Sequence, residues 1–136
     1  MRIYRLAQEV SSNEDLKRSN QELQILLGDL KQRYFGLILA AYEDQNQIKL
    51  NKIEVPLEMR HQGIGSEIIK IIQDFAQQRG KPLVVAPEAE RGYKKKLDNF
   101  YKDRGFVNNK GKNFEEIQIK DPHGATMYWS PQNEDL

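Results

Sequence analysis

The stretch RHQGIGS, Arg60 to Ser66, joins a strand-like segment that ends at Pro56 to a strongly amphipathic helical one. Gly63 and Gly65 lack a Cβ, so a ligand can come close to their peptide N–H groups. A helix beginning there adds its unpaired N-terminal donors and the positive end of its dipole. This is the backbone chemistry of a phosphate pocket, and a pyrophosphate would fit it. A tight strand-to-helix turn would use the same two glycines, so the flanks have to decide.

Upstream, Ile53, Val55 and Leu57 alternate with Lys52 and Glu54, and Pro56 stands where a ladder would stop. Downstream, Ile64, Ile68, Ile71, Ile72, Phe75 and Ala76 repeat at helical spacing, Gly80 closes that helix and Pro82 prevents its return. Leu83, Val84 and Val85 then form the short apolar run expected of the buried second strand in a βαβ unit. A dinucleotide fold would place a third glycine where Ile68 stands. Glu88 lies at a suitable distance for a ribose carboxylate, yet 136 residues leave little room for the two halves of that fold and a substrate domain. A nucleoside-triphosphate loop is excluded because no GKS or GKT follows the glycines.

Working outward, 35–44 and 47–55 read as strands joined by a polar turn around Gln45 and Asn46. Ile48 and Leu50 share one phase while Ile53 and Val55 share the other, so one extra residue, a β-bulge, is expected near Asn51 or Lys52. Ser12 with Asp15 forms a capping box opening a helix in which Leu16, Leu23, Leu26, Leu27, Leu30 and Tyr34 share a face. That face reads as core packing more readily than as a partner-binding surface, and Gly28 weakens the helix. The segment Met1 to Ala7 suits a first strand, but Ile3, Leu6 and Val10 also suit a helix. There is no repeat, linker or low-complexity tract, and only the terminal NEDL reads as disordered.

Composition narrows the function. One domain spanning 1–136 is expected, large enough for a core without staples. The absence of cysteine removes disulfides, thiolate metal sites and a cysteine nucleophile. His61 and His123, the two histidines, have no companion ligands, so no metal site is expected. A net charge of +1 gives no field toward nucleic acid or anionic membrane, and no apolar run is long enough to span a bilayer, which makes a cytoplasmic protein the default.

From about Phe35 to Pro131 the sequence resembles the GCN5-related N-acetyltransferases, the GNAT family. Their signature, Arg or Gln, two residues, Gly, one residue, Gly or Ala, is met by Arg60, Gly63 and Gly65 with Ile64 between. A second family element, a short helix ending in Tyr and followed closely by Gly-Phe, is met by LDNFYKDRGF at Leu97 to Phe106. VNNKG at Val107 to Gly111 and TMYWSP at Thr126 to Pro131 are similar to compact members found in phages and mobile elements. The resemblance implies a mixed α/β fold with a partly splayed central sheet flanked by helices, acetyl-coenzyme A as cosubstrate, and an amine acceptor. Lys94 stands where many members carry an Asn that touches the pantetheine arm, and a single hairpin precedes the signature, so the N-terminal region is reduced and the acceptor side more open.

The resemblance also assigns roles. Ile53 to Val55 offer the strand edge along which the amide-bearing pantetheine arm would pair, the bulge helps the strands at Pro56 and Leu83 to splay, and Arg60, His61, Gln62, Gly63, Ile64, Gly65 and Ser66 hold the pyrophosphate. The Val55 N–H would polarise the thioester carbonyl. Tyr101, a phenol of reference pKa about 10, is the candidate donor to the departing sulfur, and Glu54, with Glu43 behind it, the candidate base through water. Arg91, Lys94, Lys95 and Lys96 either meet the coenzyme's 3′-phosphate or are a solvated helix start; without an accompanying aromatic series they do not suggest nucleic-acid binding. The acceptor, a small molecule or a protein amine, is not identified, and a homodimer is left open. The alternative is an inactive acyl-coenzyme A-binding module working through its Leu-rich N-terminal helix on a protein partner.

Overall fold

The computed structural model describes residues 2–85, 94–108 and 127–132, with side chains described at 17, 18, 20–85, 95–108 and 127–132. In chain order the elements are α1 (Arg2–Arg33), β1 (Ile38–Glu43), β2 (Ile48–Glu54), α2 (Ile64–Arg79), β3 (Leu83–Val85), α3 (Lys94–Lys102), β4 (Val107–Asn108) and β5 (Met127–Trp129). Glu88, Arg91, His123 and the NEDL tail lie outside the described residues, as do 109–111 and Thr126.

The strands form one sheet ordered β1-β2-β3-β5-β4. β2 and β3 run parallel, with Ile48 opposite Leu83 and Leu50 opposite Val85, because α2 carries the chain back across the sheet between them. The other pairs are antiparallel. The expected bulge is present: Ala40 faces Lys52 and Ala41 faces Leu50, leaving Asn51 as the extra residue of β2. That single residue moves Ile53 onto the same face as Ile48 and Leu50.

This face is the core. Leu39, Ala41, Ile48, Leu50, Leu83, Val85, Met127 and Trp129 from the sheet cluster with Leu23, Leu27 and Leu30 of α1, Ile64, Ile68, Ile69, Ile72 and Ala76 of α2, and Tyr101 and Phe106. Full burial of each Ile or Leu contributes about 1.5–3 kcal/mol, so α2 is held chiefly by its isoleucine stripe. Gly80, at φ 66, stops the helix, and the N–H of Lys81 returns to the Ala76 carbonyl. The described leucines of α1 are core, as their spacing predicts.

Two expectations need correction. Ser12 does not open a helix, since α1 runs without interruption from Arg2, and of the two readings of the N-terminal segment the helix is the one found over 2–7. A capping-box pattern can lie inside a helix at small propensity cost, and no Pro or Gly precedes Gly28 to break this one. The first strand begins at Ile38 and not at Phe35, because Gly36 takes φ +90 in the turn that leaves α1.

Candidate active site

The hydrogen-bond pattern of β2 follows from its neighbours. The Ala41 carbonyl and the Glu43 N–H point away from β2, where the Gln24 and Asn20 side chains meet them at 2.8 and 3.1 Å. Strand alternation makes Leu39 face outward as well, so its partner Ile53 sits in a non-hydrogen-bonded pair and turns its N–H and C=O toward the β3 side. There the register with β3 is described as far as Leu50 and Val85, while β2 continues to Glu54. Beyond the bulge the edge carrying Ile53 therefore has no strand partner among the described residues.

That edge runs into the glycine turn. A 3-10 turn, Leu57–Met59, follows Pro56, and then His61 and Gly63 both adopt left-handed backbone, φ 66 and 77. Gly63 caps α2 without a side-chain hydrogen bond, and its carbonyl accepts from Glu67. The N–H groups of Ile64, Gly65 and Ser66 thus have no acceptor among the described residues and point from the positive end of the helix dipole. Arg60 folds back, its Nε donating to the Val55 carbonyl at 2.9 Å, which pins the turn to the end of β2 and leaves the N–H as the remaining backbone group of Val55. Gln62 donates to the Glu58 carbonyl at 3.3 Å.

The two glycines differ. A Cβ on Gly63 would meet open space, so its requirement is conformational. On Gly65 it would lie 3.5 Å from Cζ of Phe100 and 4.0 Å from Cγ2 of Val55. These are ordinary van der Waals distances, so space does not require a glycine here, and the position of the absent side chain is lined by Phe100 of α3 and by Val55 just past β2.

Next to Phe100, Tyr101 is 4% exposed, its ring set edge-to-face against Phe100 and Phe106 at 5.3 and 5.2 Å. Burial pushes its phenol up to about 12, so the hydroxyl keeps its proton across the neutral range. No described residue hydrogen-bonds it. Tyr101 and the glycine turn are thus brought together through Phe100.

Glu54 is exposed on β2 and, by alternation with Ile53 and Val55, projects from the sheet face opposite the core that holds Tyr101. Glu43 is corrected: β1 is an edge strand, and the fully buried Glu43 carboxylate is ion-paired with Lys81 at 2.7 Å and lies 3.5 Å from Arg79, so it is no base. His61 is exposed in the turn. Lys95 and Lys96 are exposed on α3, and the Lys94 side chain lies outside the described residues. No group of three metal-ligating side chains occurs among the described residues, and no described helix is long and apolar enough to cross a membrane.

Arg104 escaped the sequence reading. Its guanidinium stacks 3.7 Å over the Phe100 ring, donates to the Phe100 carbonyl at 2.6 Å, and donates to the Ser66 hydroxyl in the first turn of α2. The i, i+4 spacing of Phe100 and Arg104 was the available signal.

Residues 4–121 match the family model described as an acetyltransferase (GNAT) domain. Among solved structures the chain is similar to the anti-CRISPR protein AcrVA5, at 23% identity and a TM-score of 0.54 over 70% of this chain and 90% of that one. It is similar to the ribosomal-protein-S18-alanine N-acetyltransferase from Escherichia coli, at 19% identity and a TM-score of 0.50 over 74% of this chain and 65% of that one. A GNAT-family acetyltransferase from Staphylococcus aureus Mu50 gives 15% identity and a TM-score of 0.55 over 71% and 60%. The chain thus spans most of the first protein but less than two thirds of the other two, and at these identities the likeness is one of fold. No curated protein matches the sequence.

Proposed function

The chain belongs to the GNAT acetyltransferase family, and on that premise we propose that it transfers an acetyl group from acetyl-coenzyme A to an amine. The observation that carries the reading is the course of β2 beyond Leu50: the edge carrying Ile53 has no strand partner among the described residues, and it runs directly into a turn whose first three helical N–H groups have no acceptor among them. An amide-bearing arm ending in a pyrophosphate suits both parts at once. Ile53 and Val55 pair with the arm, while the peptides from Gln62 to Ser66 hold the pyrophosphate, with Arg60 and His61 beside them.

The chemistry follows from that placement. A neutral amine nitrogen attacks the thioester carbonyl carbon, and the resulting oxyanion is met by the Val55 N–H. Collapse restores the carbonyl and breaks the C–S bond, while the proton lost by the amine passes through water to Glu54 and the departing thiolate is stabilised by the Tyr101 hydroxyl. A phenol held near 12 is a hydrogen-bond donor to sulfur more than a strong acid, so the thiolate takes its final proton from solvent. The position of Glu54 on the opposite face suits an acceptor arriving from that side of the sheet.

The test is thiol release from acetyl-coenzyme A across a panel of amines, aminoglycosides, polyamines and peptides, followed by mass spectrometry of a cell extract incubated with isotopically labelled acetyl-coenzyme A. Labelled product with matching thiol release is expected. Tight coenzyme binding with no release on any acceptor would instead mark a binding module. Burial of Leu23, Leu27 and Leu30 leaves such a module without the leucine face as a docking surface.

A further inference from the structure

Arg104 lies beyond the end of α3, yet its bonds reach into α2 at two places. Its guanidinium donates to the Ser66 hydroxyl in the first turn of α2, and its own carbonyl accepts from Nε2 of the buried Gln73 at 2.8 Å. A second guanidinium nitrogen donates to the Phe100 carbonyl at 2.6 Å, and the whole plane covers the Phe100 ring. The backbone then turns at Gly105, with the Arg104 and Phe106 N–H groups both returning to the Tyr101 carbonyl at 3.0 and 3.1 Å.

Phe100 is therefore covered on its face by Arg104, and its rim lies beside Gly65. Tyr101 packs edge-to-face on Phe100 and Phe106, and its hydroxyl has no hydrogen bond among the described residues. Among the described residues, ring packing is what aims that hydroxyl. Resting on the acetyl-transfer reading, we infer that Arg104 is a positioning residue that aims Tyr101 at the coenzyme sulfur by clamping the end of α3 to the first turn of α2. The bonds of its guanidinium to Phe100 and Ser66 run inward and its Nε is buried without an acceptor among the described residues, so it is not arranged as a phosphate ligand. A cation beside the positive end of α2 is also not favoured for its charge alone. The planar fork explains the choice, because two acceptors and an aromatic face are engaged at once, which a lysine ammonium cannot do.

The experiment is a double-mutant cycle on the full chain with Arg104→Lys and Tyr101→Phe, reading kcat at saturating acceptor and the affinity for acetyl-coenzyme A. Arg104→Lys is expected to lower kcat by about tenfold with coenzyme affinity within about twofold, and to lower it by less than about twofold once Tyr101 is Phe. Equal fold-losses in both backgrounds would overturn the positioning role, as would a loss confined to coenzyme affinity, which would make Arg104 part of the anion site. Should Arg104→Lys fail to fold by thermal melting, Ser66→Ala removes only the receiving hydroxyl and must show the same non-additivity. A wild-type protein that releases no thiol with any acceptor sinks the acetyl-transfer reading and this inference together. Additive losses in an active enzyme sink this inference alone.

Discussion

Gly63 and Gly65 stand two positions apart and answer to different constraints. At φ 77 with open space around it, Gly63 forbids a Cβ through its backbone, whereas Gly65 has ordinary backbone and a ring 3.5 Å from where a Cβ would sit. Gly63→Ala should cost about 1–2 kcal/mol of stability and weaken coenzyme binding by distorting the turn. Gly65→Ala should fold at least as well as wild type and bind coenzyme unchanged. Gly65→Asp presses a carboxylate against Phe100 and adds negative charge at the turn, so affinity should fall at least tenfold, about 1.4 kcal/mol. Calorimetry on the three folded variants measures this, and unchanged affinity in the Asp variant would remove the phosphate site. Tyr101 gives a prediction with a pH sign. Its folded value near 12 lies above the unfolded value of about 10, so the stability it contributes is fully present below pH 10 and is lost as pH rises from about 10 to 12. Tyr101→Phe should remove that part of the alkaline sensitivity in denaturant melts. The same variant should bind acetyl-coenzyme A normally and turn over on the order of 10²-fold more slowly, a loss that a residue used only for packing would not show.

At the scale of elements, α1 covers the outer edge of β1. Asn20 and Gln24, one helical turn apart, occupy the outward Glu43 N–H and Ala41 carbonyl of β1, the groups an added strand would use. Replacing both by Ala should expose that edge, and sedimentation should then show concentration-dependent association absent from wild type. A second tie joins α1, the β1–β2 turn and the end of α2: Glu43 meets Lys81 and Arg79, and Arg79 also pairs with Glu22. Because the Glu43 carboxylate is fully buried, Glu43→Ala removes the carboxylate partner of Lys81 and one of the two that Arg79 meets, and should cost about 1–3 kcal/mol in urea unfolding. None of this was legible in the sequence, since Asn20, Gln24 and Glu43 are polar residues whose partners lie far along the chain. The bulge at Asn51, the isoleucine stripe of α2 and the buried run of β3 were legible, because apolar phase is a local property that one core face reads directly. Arg104 sits between: its i, i+4 relation to Phe100 is local, but its reach to Ser66 is not.

At the scale of the molecule, the seam beside β2 beyond the bulge organises the candidate site. β2 is bound to β1 along its whole length and, among the described residues, to β3 as far as Leu50, which leaves an opening there. The glycine turn closes one end of that opening, and the aromatic cluster of α3 sits behind it. The placement of β5 between β3 and β4 could not have been read from sequence, because it is decided by pairing between distant segments. The seam predicts how coenzyme should alter hydrogen exchange. At a concentration 100-fold above Kd, acetyl-coenzyme A stabilises the folded state by about 2.7 kcal/mol, so every amide that exchanges by global unfolding slows about 10²-fold and carries no positional information. The informative amides are those exchanging by local opening: Ile53 and Val55 on the unpartnered edge, and Ile64, Gly65 and Ser66 at the helix start. All five should gain protection with the whole coenzyme. Adenosine 3′,5′-bisphosphate, which lacks the pantetheine arm and one phosphate of the pyrophosphate, should protect the helix-start amides in part and leave Ile53 and Val55 unchanged, while pantetheine should do the reverse. If both fragments protect the same amides, or the whole coenzyme protects none of the five beyond the global effect, the seam is not where the coenzyme lies.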